Sequence, residues 1–179
     1  MLVYILIAIA VLFVLFLIIV STRPGEFRYE RKALMAAPPA AVFAHVNDFH
    51  KWEAWSPWAK LDPTMKTKYE GSSAGAGALY SWEGNNKVGS GKMTITESQP
   101  GALVRLKLEF FKPFQATNVG EFTFESEGAQ TKVTWSMTGK NNFMAKAFGL
   151  VCDFDKMIGK DFEKGLAQMK AIVEAEKKN

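Results

Sequence analysis

The sequence predicts an α+β fold: a curved antiparallel sheet of about seven strands wrapped on a long C-terminal helix, with two short helices after strand 1 and a separate apolar helix in front. Three patterns predict it. Near the C-terminus, apolar residues fall at Phe143, Ala147, Val151, Phe154, Ile158, Phe162, Leu166, Met169 and Val173. Steps of three and four put them on one helix face, with Lys156, Lys160, Glu163, Lys164, Lys170 and Glu174 opposite. In the middle, several runs alternate apolar and polar residues, as an antiparallel sheet with one wet and one buried face requires. At the start, residues 2–20 are apolar without interruption.

That first run matches the roughly 30 Å hydrocarbon core of a bilayer. A cleaved signal peptide would carry Lys or Arg ahead of a shorter apolar core and end at a small-x-small site. Here no basic residue precedes the run, and Ile18, Ile19 and Val20 stand before Ser21. A core helix would show a polar face, and this run has none. The reading is a permanent single-pass membrane anchor over 1–21. Arg23, Arg28, Arg31 and Lys32 follow it, against Glu26 and Glu30, so the positive-inside rule puts the domain on the cytoplasmic side of the inner membrane. Residues 22–26, with Pro24 and Gly25, form a linker of roughly 20 Å at full stretch. It holds the 27–177 domain against the membrane.

A first strand over 27–34 alternates Phe27, Tyr29 and Arg31 with Arg28, Glu30 and Lys32. Pro38 and Pro39 end it and suit the first turn of a helix over 40–46. Trp52, Trp55 and Trp58 follow, with Pro57 to stop the helix that carries the first two. These rings either cap one end of the core, or form the rim or floor of a pocket, or dip into a membrane interface. Strands are then expected at 65–70, 78–83, 92–97, 104–110, 121–125 and 132–138, separated by Gly-, Asn- and Pro-rich turns. Asn141 or Asn142 can cap the last helix. That helix is read as one element over 143–177, with Gly149 the point at which it would break. Unbroken it would span roughly 50 Å, so it must cross the concave side of the sheet. Gly149, Gly159 and Gly165 each cost about 1 kcal/mol in a helix interior. Either close contact with the sheet or short helices compensates, or the helix is a flexible gate.

The formal net charge of +4 lies wholly outside residues 1–20 and is not clustered, so no nucleic-acid partner is expected. Cys152 is the only cysteine, which excludes an intrachain disulfide; on the apolar helix face it reads as a small buried hydrophobe. His45 and His50 stand five apart with no third ligand nearby, so neither a metal nor another cofactor is expected. The Gly-rich 71–77 segment lacks the dinucleotide pattern, and Gly91 with Lys92 lacks the rest of a phosphate loop. Acid–base work could fall to Glu83, Asp48, His45 or Tyr80, although strand parity points Glu83 to solvent.

Several local patterns stand in a telling order. Ala37, Pro38, Pro39, Ala40, Ala41, Val42 and Phe43 open the first helix. Asp48 leads through Trp52 and Trp55 to Ser56 and Pro57, and a Gly-rich turn precedes Tyr80, Ser81 and Trp82. Gly159, Asp161, Phe162, Glu163, Lys164, Gly165 and Leu166 lie in the last helix. With this order the chain resembles the helix-grip superfamily of START lipid-transfer domains, the birch-pollen allergen fold and aromatase/cyclases. Within it, residues 27–176 look like the polyketide cyclase/dehydrase and lipid transport family. The resemblance implies a hydrophobic cavity between sheet and C-terminal helix that holds a lipid or other apolar small molecule, without implying catalysis. The cavity candidates are Trp55, Tyr80, Trp82, Leu106, Leu108, Phe110, Phe122, Phe124, Trp135, Met137, Phe154, Ile158 and Phe162. The leading expectation is a membrane-tethered domain that binds such a ligand, with transfer of it as the extension of that role. The alternatives are a cyclase/dehydrase acting on a polyketide-like substrate, and a non-catalytic envelope interaction or stress module with a filled core.

Overall fold

Strands β1 (Glu26–Met35) and β7 (Gln130–Lys140) are far apart in sequence yet pair along their whole length, from Glu26 opposite Lys140 to Met35 opposite Thr131. The computed structural model describes residues 1–177. Between them in sequence run β2 (Lys66–Gly71), β3 (Ala78–Glu83), β4 (Ser90–Gln99), β5 (Leu103–Lys112) and β6 (Ala116–Glu127). All neighbours are antiparallel, in the order β1-β7-β6-β5-β4-β3-β2. The alternation in sequence becomes two faces. Ile95, Val104, Leu106, Phe122, Phe124, Val133, Trp135 and Met137 are buried on the inner one. Register shifts in the β4–β5 pair near Ile95 and Glu97 add the local twist that bulges bring.

One end of the inner face is closed by α2 (Pro39–Val46), a 3-10 turn (Phe49–Lys51) and α3 (Trp52–Trp55). Pro39 sits in the first turn of α2, where its missing N–H costs nothing. The Trp52 and Trp55 indoles donate to the Val46 and His45 carbonyls at 2.9 and 3.1 Å. These carbonyls end α2 and have no helical partner of their own. Both rings are buried, so they belong to the core end.

The single long helix expected over 143–177 is two helices, α4 (Phe143–Phe148) and α5 (Phe154–Glu176). Asn142 caps α4 by accepting from the Ala145 N–H at 2.8 Å, and Gly149 closes it. Asp153 then starts α5 by accepting from the Lys156 N–H at 2.9 Å. The turn between them breaks the apolar stripe: Phe143 and Val151 are exposed, and only from Phe154 does the stripe follow the sheet. Cys152 falls in this connector and is exposed, not buried as a helix-face residue would be.

Helix α5, about 34 Å long at helical rise, lies along β1 and over the inner face. Its glycines mark close approaches. A Cβ on Gly165 would stand 2.8 Å from Trp135 Cζ3 and 3.1 Å from Pro57 Cδ. A Cβ on Gly159 would overlap the Arg31 guanidinium. That guanidinium donates to Glu163 at 2.9 Å and to Asp155 at 3.1 Å. Lys170 Nζ donates to the Leu34 carbonyl at 2.5 Å, and Glu174 accepts from the Ala36 N–H at 2.7 Å. Side chains of α5 thus tie the helix to the backbone at the end of β1, at the Leu34 carbonyl and at the Ala36 N–H just past the strand.

In front stands α1 (Leu2–Ser21), a 20-residue helix long and apolar enough to cross a membrane, as an anchor or a signal sequence would be. Its C-terminal end is not isolated: Val20 is fully buried and α4 packs against α1. The linker is also held. The Asn141 backbone N–H donates to the Gly25 carbonyl at 2.8 Å, and its side chain donates to the Pro24 carbonyl at 3.2 Å.

Gly165→Ala should therefore destabilise the fold by about 1–3 kcal/mol, the cost of overpacking a tight core, read as a lowered thermal midpoint. Gly149→Ala, whose Cβ would meet only carbonyls of the preceding turn at 3.2 and 3.5 Å and no core ring, should change it far less.

Candidate functional site

The thirteen residues expected to line a cavity divide in two. Trp55, Leu106, Phe122, Phe124, Trp135, Met137 and Phe162 are buried and pack mainly against each other. Trp135 stacks between Phe162 and Phe122, with ring centroids 4.1 and 4.8 Å away. Trp55 meets Trp135 edge-on at 5.7 Å. These rings fill the half of the interior nearest α3. Tyr80, Trp82, Leu108, Phe110, Phe154 and Ile158 are only half-buried. Trp82, Leu108, Phe110, Phe154 and Ile158 lie where the strands run on toward the other end of the sheet, while Tyr80 stays beside Phe49 of the 3-10 turn, with ring centroids 5.9 Å apart. Tyr80 stacks with Trp82 at 6.0 Å, and Trp82 meets Phe110 edge-on at 5.8 Å. Met93 is opposite both Tyr80 and Leu108 in register, so it joins this apolar surface.

The same end holds the open space. A groove of about 440 Å³ lies between the linker, β1 and the α4–α5 connector, lined among others by Tyr29, Lys146, Leu150, Cys152, Phe154 and Asp155. Its volume falls within the range of small-molecule sites. Tyr29 and Phe154 link it to the inner face: Tyr29 is opposite Met137 in register and stacks on Phe27 at 4.6 Å. Sequence reading missed Tyr29, Leu150 and Cys152 as lining residues. The alternation placed Tyr29 on the correct face. Nothing local, however, signals that the chain turns away after Gly149 and leaves a gap there.

Electrostatically the inner face is quiet. Burial raises the Tyr29 phenol pKa, helped by the Asp155 and Asp153 carboxylates. Tyr80 is pushed up to about 12, by burial first and then by Tyr69 and Glu53, so it stays a neutral phenol at physiological pH. The other acid–base candidates lie elsewhere. Glu83 is exposed and faces Lys112 at 3.4 Å. Asp48 caps the 3-10 turn through the His50 N–H at 2.9 Å. His45 meets Glu176 at 2.9 Å, outside the groove. No cluster of three or more His, Cys, Asp or Glu residues able to hold a metal occurs among the described residues.

The profile of the family described as polyketide cyclase / dehydrase and lipid transport matches residues 26–174. No curated protein matches the chain. Among solved structures, a Staphylococcus aureus protein of unknown function superposes with a TM-score of 0.64 at 11% identity, covering 86% of this chain and 97% of its own. The Aha1 dimer from Colwellia psychrerythraea gives 0.60 at 14% identity, covering 83% and 96%. The di-domain aromatase/cyclase StfQ of the steffimycin biosynthetic pathway gives 0.62 at 11% identity, covering 87% of this chain and 53% of its own. At such identities the likeness is one of fold.

The raised phenol has a measurable consequence. Folded Tyr80 keeps its proton above the 10.0 of a free phenol, so the folded state binds more protons than the unfolded one as pH rises past that value. The stability this contributes is present below about pH 10 and is lost as pH climbs toward 12. Tyrosinate absorbance should show a late-titrating group, and Tyr80→Phe should remove it and flatten the alkaline loss of stability.

Proposed function

The chain belongs to the polyketide cyclase / dehydrase and lipid transport family, and from that premise we propose that it is a membrane-tethered domain that binds a hydrophobic small molecule or lipid. The ligand lies on the half-buried inner face beside Leu108, Phe110 and Trp82, and enters through the groove at Tyr29 and Phe154. The observation that carries this reading is the place of the groove. It opens beside the exit of α1, between the linker and the α4–α5 connector. With α1 as a permanent anchor in the inner membrane and the domain on its cytoplasmic side, the acyl region is the nearest reservoir of apolar ligand. Of the four acid–base candidates only Tyr80 belongs to the inner face, which favours binding over cyclase or dehydrase chemistry.

The stacked Trp135 core supports a second reading, an interaction module with no internal ligand. Native mass spectrometry of the full chain released from detergent, with organic extraction of bound material, separates the two. The binding reading expects a co-purifying apolar mass. Leu108→Glu should weaken retention about tenfold or more, since roughly 1.4 kcal/mol per decade is less than the cost of setting a carboxylate against an apolar ligand. Apo protein that also fails to take up a polyene fatty-acid probe would sink it. The anchor is tested by alkaline carbonate extraction and the intact mass: a retained, uncleaved chain supports it, and loss of the first residues points to a signal sequence.

A further inference from the structure

Several of the most exposed apolar residues of the domain gather at one end, although Leu34, Leu61 and Tyr69 are exposed elsewhere. Strand register defines that end. Glu26 lies opposite Lys140, Gly139 opposite Asn118, Ala116 opposite Phe110, and Lys112 opposite Ser90. The start of β1, the end of β7 and the β5–β6 turn therefore share a rim, and α1 leaves the domain from the same rim. Phe114 in that turn is 71% exposed. Across the rim, Phe143, Met144 and Phe148 of α4 are about half exposed, and Val151 in the connector is 83% exposed. Cations stand among them at Arg23, Lys140 and Lys146, the first and last beside the groove. Of the carboxylates there, Asp153 caps α5 and Asp155 meets Arg31, while Glu26 is exposed opposite Lys140.

A monomer seldom leaves so many large apolar side chains together in water. Two observations identify what covers them. The patch is continuous with α1, since α4 packs against that helix near the fully buried Val20. The Asn141 bonds to Pro24 and Gly25 also keep the rim from swinging away. Rings and aliphatic chains interspersed with Lys and Arg match the chemistry of a headgroup boundary with anionic lipid.

We infer that this rim is a bilayer-docking face: α4 and the α4–α5 connector lie in the interface beside α1, the Phe114 turn makes a second contact, and the groove mouth is pressed against the lipid. The inference rests on α1 being an anchor, as proposed above. It goes beyond tethering, because it fixes the domain's orientation and makes α4 a contact surface.

Cys152 provides the probe, being the only cysteine and exposed in the connector. The full chain is labelled there with an environment-sensitive dye and reconstituted into phosphatidylcholine vesicles with or without phosphatidylglycerol. Docking predicts blue-shifted emission, quenching by lipids brominated near the headgroup, and shielding from iodide, all stronger with phosphatidylglycerol. Phe143→Ser with Phe148→Ser, at two exposed positions, should raise the iodide-quenching constant severalfold while leaving circular dichroism unchanged. Phe114→Ser alone should raise it less. Carbonate extraction is run in parallel. A retained chain whose dye is open to iodide overturns the docking face and keeps the anchor. An extractable chain overturns the anchor and, with it, a docking face that lies beside a spanning α1.

Discussion

Trp135 stacks on Phe162 across the gap between β7 and α5 with ring centroids 4.1 Å apart, and Gly165 lets the helix come that near. Much else follows from this contact. It sets the height of α5 above the sheet, and Trp55, Trp58 and Phe122 pack around the same ring. Aromatic pairs of this kind add about 0.5–1.5 kcal/mol each beyond the area they bury. The contact also divides the interior. On the α3 side the rings close the space. Toward the other end α5 begins only at Phe154, and the inner face stays half covered.

The polar contacts of Arg31 complement the stack. The guanidinium lies under Gly159 and meets Asp155 and Glu163, each about one turn away from that glycine along α5. Exposed ion pairs contribute little to stability, typically 0–1 kcal/mol. What Arg31 adds is geometric: it pins the first turns of the helix, ahead of the Phe162 stack, over β1, and so holds one wall of the groove. Gly159 and Gly165, costly in an isolated helix, are thus accounted for by close approach and not by flexibility.

The strands were legible because sheet alternation is a local signal with a period of two residues, and six of the seven runs were read from it downstream of the helices. The α2 start was legible from Pro38 and Pro39, and the α4 cap from the Asn pair before Phe143. The break after Gly149 was only half legible. The apolar steps pass through Val151 unbroken in sequence, and glycine alone does not end a helix. What ends it is Asp153 capping a second helix whose direction is set by docking on β1. For the same reason Cys152 was expected inside and lies outside.

By itself the sequence determined the α+β class, the faces of the strands, the apolar front helix and the family, since each is carried by spacing or by short ordered motifs. Only the tertiary structure decided which apolar residues fill the core and which stay half open, that the linker is clamped by Asn141, and that the exposed rings share a rim with the exit of α1. The physical reason is separation in sequence. A period tells which way a side chain points. Whether it meets another ring, a glycine or open space depends on partners such as Phe27 with Gly139 or Arg31 with Gly159, more than a hundred residues away along the chain.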